Sequence, residues 1–208
     1  MSDLKNLKCL LPRTETLLLK MVDGCDFLDQ YVLVGGSALS MHLCHRKSED
    51  LDFFTYDDSF DKQKIFAYIQ TFKNKEILHQ TDEQVDVLLD GVKVTFFNAQ
   101  WEFLKPMTIE KFNLSSLEDI AAMKVNVLFL RAKYRDYYDI YFLVKTGMSL
   151  KKMFACSLEV LDGITFKLFS VALLYTDDIE DDNIEYLEPM ENITKEEIRT
   201  YFEVRLNR

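Results

Sequence analysis

Tyr31-Val32-Leu33-Val34 runs directly into Gly35-Gly36-Ser37. The apolar run predicts a short buried strand, and the paired glycines predict a tight turn that lets backbone approach another group closely. Ser37 to Cys44 then has the length of a helix, with Ser37 placed to cap it. Leu51 to Thr55 predicts a second strand, and two aspartates, Asp50 and Asp52, bracket its first leucine. Residues two apart on a strand share a face, so both carboxylates project together while Leu51 and Phe53 enter the core.

The rest of the N-terminal half alternates in the same way. Thr14 to Asp29 reads as an amphipathic helix broken near Gly24, and Lys62 to Lys73 as another helix. Gln84 to Leu89 and Val92 to Asn98 form a hairpin around Asp90-Gly91, a dipeptide suited to a type I′ turn. After Pro106 the pattern turns helical. Ser115-Ser116-Leu117-Glu118 has capping-box form and opens a helix to about Ala132; a second covers Arg135 to Lys145 and stops at Gly147. Further helices are expected between Ser149 and Tyr175, and Thr194-Lys195-Glu196-Glu197 starts a C-terminal one. The expected fold class is α+β, a mixed sheet with helices over residues 1–105 followed by a helical bundle over 106–208.

Composition narrows the function. The 208 residues are 48% hydrophobic and 29% charged, which describes a folded globular chain. Cys9, Cys25, Cys44 and Cys156 are scattered without paired short spacing, so neither a disulfide framework nor a cysteine zinc site is expected, and a cytoplasmic, reducing setting fits. Met1-Ser2-Asp3-Leu4-Lys5 lacks the apolar core of a signal peptide, and Ile164 to Tyr175, broken by Lys167, is too short to span a bilayer. The formal net charge of −10 opposes a simple nucleic-acid binder. The charge is uneven: residues 177–191 carry Asp177, Asp178, Glu180, Asp181, Asp182, Glu185, Glu188 and Glu191 without a cation, a pattern expected of a solvated loop. Residues 124–135 carry Lys124, Arg131, Lys133 and Arg135 without an acid.

A glycine turn opening a helix aims free N–H groups and a positive dipole end at a phosphate. Two convergent carboxylates suit Mg²⁺, a hard cation that takes substrate phosphates as further ligands. Each signal alone is common; together, at this spacing, they favour phosphoryl or nucleotidyl transfer.

These residues also carry a resemblance. Val34-Gly35-Gly36-Ser37-Ala38-Leu39, followed by His45-Arg46-Lys47-Ser48-Glu49-Asp50-Leu51-Asp52-Phe53-Phe54, resembles the first motif of the AbiEii/AbiGii toxin family. These are DNA-polymerase-β-like nucleotidyltransferases of type IV toxin–antitoxin pairs. Asp119-Ile120-Ala121-Ala122-Met123-Lys124 and Arg131-Ala132-Lys133-Tyr134-Arg135-Asp136-Tyr137-Tyr138-Asp139-Ile140-Tyr141 are similar to its later motifs, so the resemblance covers about residues 30–145. It implies that Gly35, Gly36 and Ser37 hold the triphosphate, with Arg46 reaching a phosphate, and that Asp50 and Asp52 hold Mg²⁺ or Mn²⁺. Lys124 and Asp136 then complete the site, Lys124 against a phosphate and Asp136 positioning a group or acting as base. The implied activity is transfer of a nucleoside monophosphate from an NTP such as ATP or GTP to a hydroxyl of RNA, tRNA or protein, in a toxin with a cognate antitoxin.

One position departs from the resemblance. Where such enzymes place a third carboxylate on a later strand, Gly91-Val92-Lys93-Val94-Thr95-Phe96-Phe97 has Thr95. Either Asp136 or Asp86 supplies that charge, or the site binds nucleotide or a partner with little turnover. Phosphotransfer to a small molecule is a third reading. Plainer roles stand beside these. His42, Cys44 and His45 read as helix surface rather than zinc ligands, Arg46 as a solvent cation or a partner of Glu49, and Lys124 as a surface lysine. Arg135, Asp136 and Asp139 read as an exposed ion-paired face or, with Tyr134, Tyr137, Tyr138 and Tyr141 nearby, as a cleft lining where a base stacks; most of those tyrosines read as core or interface.

Overall fold

A computed structural model describes residues 3–207 apart from 105, 110, 111, 132, 178, 180 and 181, with side chains from residue 6 onward. Ala132 and, in the acidic run, Asp178, Glu180 and Asp181 therefore lie outside the described residues. The chain divides into two compact units, Met1–Ser116 and Leu117–Arg208.

In the first unit a 3₁₀ helix, Asp3–Cys9, precedes α1 (Pro12–Gly24). Pro12 opens α1 at a position where no helical N–H is needed. Then follow β1 (Tyr31–Val34), α2 (Gly35–Leu43), β2 (Leu51–Thr55), α3 (Lys62–Gln70), β3 (Lys75–Gln80), β4 (Gln84–Leu89), β5 (Val92–Phe97), β6 (Met107–Ile109) and β7 (Phe112–Leu114). They form one mixed seven-stranded sheet in the order β3-β4-β5-β2-β1-β7-β6. β1 pairs antiparallel with β2 and parallel with β7, β2 pairs parallel with β5, and β3-β4-β5 is an antiparallel meander.

The register separates two faces. Leu33, Phe53, Phe96 and Val85 stand opposite one another across four strands, and all are fully buried. Each such side chain contributes roughly 1.5–3 kcal/mol on leaving water. Tyr31 and Phe27 close over this row by edge contacts, with ring centroids 5.3 Å apart for Tyr31–Phe96. One register step along, pointing the other way, stand Asp52, Thr95 and Asp86.

The expected hairpin forms, with Asp90 and Gly91 at φ 47° and 83°, as a type I′ turn requires. Three strands escape the sequence pattern. β3 is an edge strand, exposed along its whole length, and pairs through its main chain rather than a buried face. β6 and β7 have three residues each, too few to show a period, and they carry the sheet beyond Pro106.

The second unit is helical: α4 (Leu117–Leu130), α5 (Tyr134–Lys145), α6 (Leu150–Ser157), α7 (Phe166–Leu174) and α8 (Lys195–Leu206). The capping box expected at Thr194 forms in full, and Ser149 and Thr165 cap α6 and α7. Ser115, by contrast, does not cap α4: its Oγ is buried without a hydrogen-bond partner among the described residues.

Candidate active site

Gly35 opens α2 at φ 69°, a conformation that side chains with a Cβ rarely adopt. A Cβ there would also meet Asp52 Oδ2 at 2.8 Å, so the carboxylate rests directly against the glycine backbone. At Gly36 a Cβ would lie 2.9 Å from Arg46 Nη2 and 3.3 Å from Ser48 Oγ. The two glycines thus make room for one functional group each, Asp52 and Arg46.

The expected Ser37 cap is corrected by the structure. The helix begins at Gly35, and no side chain caps its Val34 N-cap. Ser37 is buried, and its hydroxyl donates to the main-chain carbonyl of Asp50. It therefore ties the glycine turn to the residue that begins the acidic pair, while the backbone amides of the first turn keep the anion-facing character of a helix start.

Asp50 and Asp52 are half-buried, whereas Leu51 and Phe53 between and after them are fully buried, as their alternation predicts. Arg46 is not the solvent-facing cation of the plainer reading. It is 3% exposed, and its Nη1 donates to the Lys47 carbonyl at 2.9 Å. Arg13 Nη2 lies 3.8 Å from Glu49 Oε2. His45, expected on a helix surface, is fully buried, and His42 Nε2 lies 2.8 Å from the Ser115 carbonyl oxygen.

The loop from Cys44 to Asp50 is fastened along its length. Ser48 N donates to Cys9 O at 3.2 Å, Leu11 N to Ser48 O at 2.9 Å, and Thr14 Oγ1 to Glu49 O at 2.8 Å. A disulfide joins Cys9 to Cys44, with Cα atoms 5.3 Å apart. Scattered spacing hid this bridge, because the pairing comes from the chain returning past α2 rather than from any local motif. Cys25 and Cys156 are free, and burial pushes the Cys25 thiol up to about 12, which leaves it inert.

In the second unit Lys124 is 5% exposed, not a surface lysine. Its Nζ lies 3.0 Å from Asp136 Oδ1 and 2.6 Å from Asp139 Oδ2, and both acids are fully buried. Arg131 adds a two-pronged contact to Asp136, Nε to Oδ2 at 3.1 Å and Nη2 to Oδ1 at 3.2 Å. Burial pushes the Asp136 carboxyl up, but Lys124 and Arg131 outweigh it and hold it below the usual carboxylate range. The expected exposed ion-paired face is thus a buried charge cluster, with Arg135 bound separately to Asp182. Asp139, expected on that ion-paired face, had no expected place beside Lys124. Its signal was its position one helical turn after Asp136, on the same buried face. Tyr137, Tyr138 and Tyr141 are core, as expected, and Tyr134 is half-buried.

Among the described residues no group of three or more His, Cys, Asp or Glu side chains is placed to hold a metal ion. Asp50 and Asp52 are instead a pair of half-buried carboxylates at the glycine turn. That donor set fits Mg²⁺, which is commonly held by one or two carboxylates plus substrate phosphates.

The model of the AbiEii nucleotidyl transferase toxin of type IV toxin–antitoxin systems matches residues 18–103 and 97–197. The chain belongs to the AbiEii nucleotidyltransferase toxin family. An uncharacterised Aquifex aeolicus protein is 30% identical over 196 residues, 89% of this chain and 94% of that relative. Two solved structures share the fold. MenT4, a nucleotidyltransferase toxin from Mycobacterium tuberculosis, is 15% identical with a TM-score of 0.63, over 100% of this chain and 86% of that one. JHP933 from Helicobacter pylori is 19% identical with a TM-score of 0.54, over 99% and 92%. The α+β nucleotidyltransferase-like fold expected from sequence is the one observed, and the family makes the chain a nucleotidyltransferase.

Proposed function

We propose that the chain moves a nucleoside monophosphate from an NTP to a hydroxyl of RNA, with tRNA a candidate, or of protein, as the toxin of a toxin–antitoxin pair. The observation that carries this is the close seating of the Asp52 carboxylate on Gly35 at the start of α2. It sets a metal-binding acid beside amides suited to a triphosphate tail. Asp50 and Asp52 hold Mg²⁺ or Mn²⁺; the metal, when bound, neutralises phosphate charge as it develops. The amides of Gly35, Gly36 and Ser37 receive the phosphates, and Arg46, held in place by its burial, adds positive charge from the far side of Gly36. Within the second unit Lys124 and Asp136 are the residues the reading assigns to catalysis, with Asp136 and Asp139 orienting the lysine. An antitoxin, implied by the family, is the regulatory partner.

The test is incubation with each α-labelled NTP, total cellular RNA and total protein. Label is expected on one class of acceptor, and Asp50→Ala/Asp52→Ala is expected to abolish it without unfolding the chain. Persistent transfer by that double variant contradicts the assignment. Thr95, facing Asp52 across the sheet, favours one second reading, a nucleotide- or partner-binding module with little turnover. NTP binding in calorimetry with no labelled acceptor would favour it.

A further inference from the structure

We infer that Asp86 is the base that takes the proton of the acceptor hydroxyl, working across Thr95 from Asp52. The inference rests on the nucleotidyl-transfer reading above.

Asp52 on β2 pairs with Thr95 on β5, and Thr95 pairs with Asp86 on β4. Directly paired residues project from the same face of a sheet. All three therefore leave the face opposite the Leu33–Phe53–Phe96–Val85 core row. Neighbouring strands lie about 4.8 Å apart, so the two aspartate Cα atoms stand roughly 10 Å apart. That span admits a phosphoryl group and an incoming oxygen between the carboxylates, over the small Thr95 side chain.

Asp86 also bears the mark of a retained charge. Its side chain is 11% exposed, on a strand whose Val85 and Val87 are fully buried. A carboxylate so removed from water gains little for the fold over an apolar residue. Gln84 Nε2 donates to its Oδ1 at 2.9 Å, and its other oxygen forms a looser ion pair with the half-exposed Lys93, Nζ to Oδ2 at 3.7 Å. Asp136, the other acid considered for this duty, has no exposed surface, and its oxygens face Lys124 and Arg131. It is a poor proton acceptor and an inaccessible one.

In the step, the acceptor O–H gives its proton to the Asp86 carboxylate while the oxygen bonds to the α-phosphorus. The bond from that phosphorus to the bridging oxygen breaks, and pyrophosphate leaves with the electron pair. General bases contribute about 10²- to 10⁴-fold.

The experiment measures label transfer from the α-labelled NTP to the acceptor fraction that the intact protein labels, together with NTP affinity by calorimetry. Asp86→Asn is expected to lower the maximal rate at least about 100-fold with NTP affinity unchanged. Asp86→Asn/Thr95→Asp, which returns a carboxylate to the same row, is expected to recover at least a tenth of the lost rate. A merely structural role for Asp86 would not be rescued from the neighbouring strand. Wild-type rates in Asp86→Asn, or no recovery in a folded double variant, overturn the inference while leaving the nucleotidyl-transfer reading intact. No labelled acceptor with the intact protein overturns that reading, and this inference with it.

Discussion

Gly35 shows how a single missing side chain makes a site. Its φ of 69° and the 2.8 Å approach of Asp52 are two separate demands, and only glycine meets both. Gly35→Ala is expected to cost about 1–2 kcal/mol from backbone strain alone and to push Asp52 off the turn; urea unfolding and calorimetric NTP titration measure the two effects. In the second unit, Lys124→Met would leave Asp136 and Asp139 buried without their shared cation. Breaking a buried pair in this way costs about 3–5 kcal/mol, so a fall of that size in unfolding free energy is expected. Asp136 also sets a pH dependence. Its folded-state pKa is depressed, first burial raising it and then Lys124 and Arg131 overriding that. Its contribution is therefore present above the unfolded carboxylate value of about 3.9 and is lost as pH falls below it. Melting temperature against pH should drop on acidification through pH 4 in the native chain and less steeply in Asp136→Asn. The residue types of the site were legible in the sequence, since Gly-Gly-Ser and Asp-x-Asp name their own chemistry. Their surroundings were not: burial of Lys124, Arg46 and His45 depends on which elements pack over them, which no local pattern states.

At the scale of elements, the segment around α2 works as a closed loop. The Cys9–Cys44 bridge spans 35 residues and encloses α1, β1 and the glycine turn. By the chain-entropy model such a loop contributes about 3–4 kcal/mol. Reduction with dithiothreitol, or Cys44→Ser under oxidising conditions, is expected to lower the unfolding midpoint accordingly, with thermal melts as the readout. Elements with strong periods or explicit end signals were readable: β1, β2, the β4–β5 hairpin, α5, and α8 with its Thr194 capping box. Those without them were not. β3 is recruited to the sheet by main-chain pairing at an exposed edge, and β6 and β7 are too short to carry any alternation. The disulfide was hidden for a related reason, since loop closure over 35 residues leaves no mark in cysteine spacing.

For the whole molecule, a net charge of −10 means that long-range attraction does not gather a nucleic-acid acceptor; recognition has to come from local groups. The central claim is that Asp50 and Asp52, at the glycine turn, support transfer of a nucleotide rather than of a phosphate. The mass of the acceptor after incubation with NTP and Mg²⁺ tests it most directly. A gain of one nucleoside monophosphate with the native chain, and none with Asp50→Ala/Asp52→Ala, is the predicted result. A gain of a single phosphate, or the same nucleotide gain from the double variant, would contradict it.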